Sequence, residues 1–203
     1  MTNITIAHLL RPLTCHTQPQ VDVHQAASGT VTLTAHAGDD LFADPSTDSL
    51  VASASLFTFE TIGDFQFQAK VKVDFQASFD SGVLVGFFDD QVWFKICAEI
   101  DPLGIRRIVT VVTNGRSDEA NSTHLVGEDV HLRITRTGGT FALHAASDGK
   151  HWDLIRYFAL NQHNNEVLRV GIAAQSPSGD GTRATFSEFG WKDVGLSDPR
   201  DGS

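Results

Sequence analysis

From Val92 to Ile100 the chain alternates without a break. Val92, Phe94, Ile96, Ala98 and Ile100 are apolar, and Trp93, Lys95, Cys97 and Glu99 fall between them. Successive side chains of a strand point to opposite faces, so the first set is expected in a core and the second on the other face. A Trp, a Lys and a Glu in one row make that second face the floor of a candidate binding site. Residues 65–75 (FQFQAKVKVDF) alternate just as cleanly, with Phe65, Phe67, Ala69, Val71, Val73 and Phe75 on one side. Its polar side, Gln66, Gln68, Lys70, Lys72 and Asp74, is expected to meet water, as in an antiparallel sheet covered on one face.

The same reading predicts strands over 30–37, 51–60, 82–88, 105–113, 131–136, 140–146, 153–160, 168–175 and 184–194. Turn signals separate them: Asp89-Asp90, the DPLG of 101–104, and Gly138-Gly139. The segment 114–122 (NGRSDEANS) reads as a polar loop opened by Asn-Gly, and 38–49 as an acidic loop. Residues 1–29 form an irregular lead-in with at most one early strand, and 195–203 a frayed tail. Many short strands without an amphipathic helix indicate a β-sandwich or closed barrel. No change of composition marks a linker, so one domain spanning 1–203 is expected.

Composition narrows the possible partners. The formal net charge is −10, which argues against nucleic acid or an anionic membrane surface, since either needs a basic patch. No run of 18 apolar residues is present, so no transmembrane helix is expected. The N-terminal apolar run lacks a basic flank and is broken by His8, which argues against a secretory leader. Two cysteines, Cys15 and Cys97, make no disulfide framework, and a reducing cytoplasm suits them. Cys97 is expected to be a small half-buried thiol.

Several chemistries can be weighed from the residues. Asp39, Asp40, Asp44 and Asp48 could offer oxygens to calcium, but EF-hand spacing is missing and a solvated loop is the better reading. His24, His36, His131, His144, His151 and His163 lack zinc-site spacing, although His131 and His144 could share a face of a hairpin. No metal or cofactor is expected. A serine nucleophile has no elbow motif around Ser117-Asp118. Trp152 and Trp191 are read as edge or core packing.

The series DLF (40–42), DF…FDSGVL (74–84), WFK…E (93–99), VVTNGRSDEANS (111–122), FALHAASDGKHWDLIRYFAL (141–160) and GIAAQSPSGDGTRATFSEF (171–189) resembles the domain of unknown function 1349 family. That family includes yeast regulation-of-enolase protein 1. The resemblance runs from about residue 30 to 191. It implies an all-β, concanavalin A-like jelly-roll sandwich of two antiparallel sheets, with ligands on the concave face. Trp93, Lys95 and Glu99 occupy the family's W-x-K-x-x-x-E row.

The expected function is non-catalytic binding of a carbohydrate or other small polar ligand in that groove. Trp93 would stack on it, and Lys95, Glu99, Asp118, His144 and Gln175 would bond it. An alternative is a glycoside hydrolase using Glu99. Glucanases of the superfamily carry E-x-D-x-x-E, whereas here Glu99-Ile100-Asp101 is followed by Gly104, so only one placed carboxylate is visible where two are needed. A second alternative is a regulatory protein-interaction domain, with a protein partner or a homodimer.

Overall fold

The computed structural model describes all residues except 1, 7, 8, 10, 16–21, 27, 48 and 162–164. Seventeen strands follow one another among them. They are β1 (Asn3–Ile4), β2 (Leu13–Cys15), β3 (Asp22–Gln25), β4 (Val31–His36), β5 (Leu41–Ala43) and β6 (Leu50–Ala52). Next come β7 (Phe57–Thr61), β8 (Phe65–Val73), β9 (Ser81–Phe87), β10 (Val92–Ile100), β11 (Arg106–Asn114) and β12 (Arg116–His124). The last five are β13 (Asp129–Thr137), β14 (Thr140–Ala146), β15 (Asp153–Ala159), β16 (Leu168–Gln175) and β17 (Gly181–Lys192).

They form two large antiparallel sheets packed as a jelly-roll β-sandwich. One sheet has eight strands in the order β1-β2-β7-β16-β9-β10-β11-β12, and the other has seven in the order β15-β14-β13-β8-β17-β4-β3. Hairpin β5-β6 stands apart from both.

The core between the sheets is built by the period-two pattern. Leu84, Phe94, Ile96, Ala98, Ile108, Val170 and Ile172 enter it from the first sheet, and Phe67, Ala69, Val71, Leu132, Ile134 and Phe186 from the second. Each fully buried side chain of this size contributes roughly 1.5–3 kcal/mol. Phe94 packs against Phe141 at 4.6 Å between ring centroids and against Phe158 at 5.2 Å. Gly86 opposite Phe94 on β9 makes room for that ring, because a Cβ there would lie 2.2 Å from it.

Four expectations change. Residues 116–124 are not a loop but a nine-residue edge strand paired with β11. The stretch 51–60 divides into β6 and β7, with buried Ala54 and Leu56 between them. The lead-in holds three short paired strands. The tail is docked rather than frayed: Leu196 is buried, its amide bonds Thr137 Oγ1 at 3.0 Å, and Pro199 and Gly202 accept bonds from the seven-stranded sheet.

Candidate functional site

The alternation in β10 sets the site. Its even residues Phe94, Ile96 and Ala98 enter the main core, so Trp93, Lys95, Cys97 and Glu99 point from the opposite face of the eight-stranded sheet. That face is roofed. Leu41, Ala43, Ala54 and Leu56 cover Trp93, Cys97, Val83, Val85, Val109 and Val111 in a second apolar cluster. Trp93 is consequently fully buried, with its indole nitrogen unpartnered among the described residues. The ring supports the roof and offers no stacking surface to a ligand. Cys97 is likewise fully buried rather than half-buried, and burial pushes its thiol well above the usual range.

Beyond the roof the row opens into a cavity of about 250 Å³. Lys95 and Gln175 form its base. Lys95 Nζ donates to the Leu41 carbonyl at 2.8 Å and to Gln175 Oε1 at 2.9 Å, with Asp40 Oδ1 3.9 Å away. The Gln175 amide nitrogen in turn donates to Asp40 Oδ1. A buried ammonium is thus compensated by a carbonyl, an amide and a nearby carboxylate, as burial of a charge requires.

Glu99 is different. It lies four residues from Lys95 on the same strand, roughly 13 Å between Cα atoms at strand rise. The residue is 7% exposed, its side chain lines the cavity, and its carboxyl makes no hydrogen bond to any described residue. Burial pushes its pKa up to about 8, with Glu119, Asp40 and Asp101 adding to the rise and Lys95 opposing it. At neutral pH this side chain is therefore mostly a neutral acid.

Two aromatic walls were not legible beforehand. Phe42 enters from the roof and Phe79 from the turn before β9. Phe79 has φ +70°, a conformation that a bulky residue adopts only when its surroundings impose it. The next residue, Asp80, is fully buried. Its Oδ2 accepts the amides of Gln76 and Ala77 at 2.8 and 2.9 Å, and its Oδ1 accepts Ser176 Oγ at 2.7 Å. Pro177 and Ser178 complete the rim on the far side.

Trp93, Lys95, Glu99 and Gln175 thus come to one face, but Asp118 and His144 do not join them. Asp118 pairs with Val112 across β11-β12, and its carboxylate takes Arg156 Nη2 at 2.7 Å, linking the edges of the two sheets. Its neighbour Glu119, opposite Val111, is the one that reaches the cavity. His144 lies on β14 of the other sheet, fully buried beneath the tail, with Nε2 2.8 Å from the Pro199 carbonyl. Burial pushes it down to about 4. His131 shares that outer face but stands opposite Ala146, while Arg133 is the residue opposite His144.

The acidic loop is occupied with its own backbone. Asp39 caps the His36 amide, Asp40 the Leu41 amide, and Asp44 the Ser46 amide and hydroxyl. Asp48 and His163 lie outside the described residues. Among the described residues no three His, Cys, Asp or Glu side chains are placed to share a metal ion. Asp101, the other half of the Glu99-Ile100-Asp101 pair, is spent on its turn. It accepts the amides of Leu103 and Ile105 at 2.9 Å each and Arg107 Nε at 2.5 Å.

Comparison with known proteins matches this architecture. A functionally unknown protein from Saccharomyces cerevisiae superimposes with a TM-score of 0.82 at 27% identity, covering 91% of this chain and 97% of the yeast one. The GH43 BlXynB protein from Bacillus licheniformis gives 0.63 at 17% identity over 82% of this chain, which corresponds to 33% of that longer enzyme. The carbohydrate-binding module CBM66 from Bacillus subtilis gives 0.54 at 13% identity, covering 85% and 92%. These last two likenesses concern the fold alone. No curated protein matches the sequence. The family model described as protein of unknown function, DUF1349, matches residues 17–194, and the chain belongs to that family.

Proposed function

We propose that the chain, taken as one unit over 1–203, is a non-catalytic binding domain. It holds a small polar ligand, a saccharide being the favoured class, in the cavity above Lys95, Glu99 and Gln175. The observation that carries this reading is Glu99, a buried glutamate whose side chain lines a cavity and makes no hydrogen bond to a described residue. A ligand hydroxyl could bond to that carboxyl. Phe42 and Phe79 supply apolar walls beside a few polar groups, the usual composition of a small-molecule site. The fold shared with a carbohydrate-binding module is consistent with a saccharide and carries no residue-level argument. A reducing compartment such as the cytoplasm suits Cys15 and Cys97, which are not in a disulfide.

The test is a panel of mono- and oligosaccharides titrated against the wild type and Glu119→Ala. Binding that weakens about tenfold in the variant supports the site, and binding indifferent to it places the ligand elsewhere.

Hydrolysis is the second reading, and Glu99 is the observation that favours it, because a carboxyl held protonated near neutrality is what a general acid requires. Its partner carboxylate would be Glu119 or Asp40 rather than Asp101. Turnover of aryl glycosides that disappears in Glu99→Gln would establish it.

A further inference from the structure

The polar groups of the cavity are unbalanced in sign. Asp40, Glu99 and Glu119 face it, and among the described residues Lys95 is the single cationic side chain lining it. That ammonium has already given two of its three protons, to Leu41 O and Gln175 Oε1, and its nearest carboxylate is Asp40 at 3.9 Å. It forms no ion pair with Glu99, although its charge opposes the rise of that carboxyl's pKa. Arg107, opposite Glu99 on β11, is held by Asp101 at 2.5 Å. Ser81 and Cys97, also on this face, are neutral. Glu99 and Glu119 therefore face the cavity with no described cation bonded to either.

A metal ion would be one way to supply that cation, but the described acidic side chains are not placed to share one. An anionic ligand would meet the carboxylates of Asp40 and Glu119 with Lys95 alone to oppose them. We infer that the ligand carries a primary ammonium group, as an amino sugar or a small aliphatic amine does, and that Glu99 and Glu119 receive it while Phe42 and Phe79 flank its apolar part. This rests on the reading of the cavity as a ligand site and narrows its chemistry.

Pairing with an ammonium favours the ionised form of Glu99, so binding releases the carboxyl proton to the buffer while the ligand nitrogen keeps its own. Since the free carboxyl titrates near 8, release approaches one proton at about pH 7 for an amine still protonated there, and declines as pH rises through about 8.

The experiment is isothermal titration of the full chain with glucosamine, glucose and putrescine, each in two buffers of different ionisation heat. We expect glucosamine to bind about tenfold or more tightly than glucose, with a proton released, and Glu99→Gln to abolish both the release and the preference. Putrescine binding in place of glucosamine would assign the ammonium to a simple amine. Glucose binding as well as glucosamine, without proton release, would overturn the ammonium assignment and leave the saccharide site standing. Failure of all three, together with a silent saccharide panel, would remove both.

Discussion

Lys95 and Gln175 meet at 2.9 Å, from strands β10 and β16, with β9 between them. The contact is possible because both side chains rise from the same face, and Asp40 closes it from above. The lysine is thereby a strut joining floor to roof. Replacing it by Met should leave Gln175 Oε1 and the Leu41 carbonyl without their donor. We expect a loss of about 1–3 kcal/mol, the cost of leaving buried acceptors unpaired, read from the midpoint of urea unfolding. A change within the error of the fit would mean that the strut carries no load.

Glu99 should make stability depend on pH in an unusual direction for a carboxyl. Its folded pKa of about 8 lies above the ordinary value of 4.5. Between those values the folded chain binds the proton more tightly than the unfolded chain. Its contribution is therefore fully present below about pH 4.5 and is lost as pH rises through about 8. Glu99→Gln should flatten that decline in a series of unfolding curves. An unchanged slope would show that Glu99 ionises normally.

His144 should act in the opposite direction. Its pKa is depressed to about 4, so stability falls as pH drops from about 6.5 towards 4. Burial produces the depression, and the Pro199 carbonyl that the tail supplies opposes it. Deleting residues 197–203 should return the imidazole towards its ordinary value in a proton NMR titration, and should cost roughly 1–3 kcal/mol through lost hydrogen bonds to Arg133 and His144. A ring that still titrates near 4 without the tail would assign the shift to the sheet itself.

Phe79→Gly separates folding from binding. Glycine accepts φ +70° freely, so relief of about 1 kcal/mol of backbone strain should offset the lost half-buried ring. We expect a melting temperature close to that of the wild type and ligand affinity reduced about tenfold. Equal affinity would remove Phe79 from the site.

How much of this was legible beforehand depended on the kind of pattern each part leaves. The β10 alternation fixed which residues share a face, and it holds for Trp93, Lys95, Cys97 and Glu99. It could not show that residues 41–56 fold back over Trp93, because a roofed face and an open one alternate alike. The strand β12 left no apolar signal, since it is polar on both sides at a sheet edge. Reading it as a loop hid the parity that separates Asp118 from Glu119. For His144 the hairpin was readable, but which sheet the hairpin joined was not. The strained φ of Phe79 leaves no mark in composition or alternation.

Gly86 provides a check on the core register. A methyl group there meets Phe94, which Phe141 and Phe158 hold in place. Gly86→Ala should destabilise by about 1–3 kcal/mol in denaturant unfolding. A neutral effect would mean that Phe94 is not where the β9-β10 pairing puts it.

A crystal structure grown with the tightest saccharide or amine from the titrations is the direct measurement of the binding site. The expected result is ligand density beside Phe79, with a polar atom within hydrogen-bond distance of the Glu99 carboxyl. Density on another surface, with only water above Glu99, would contradict the account.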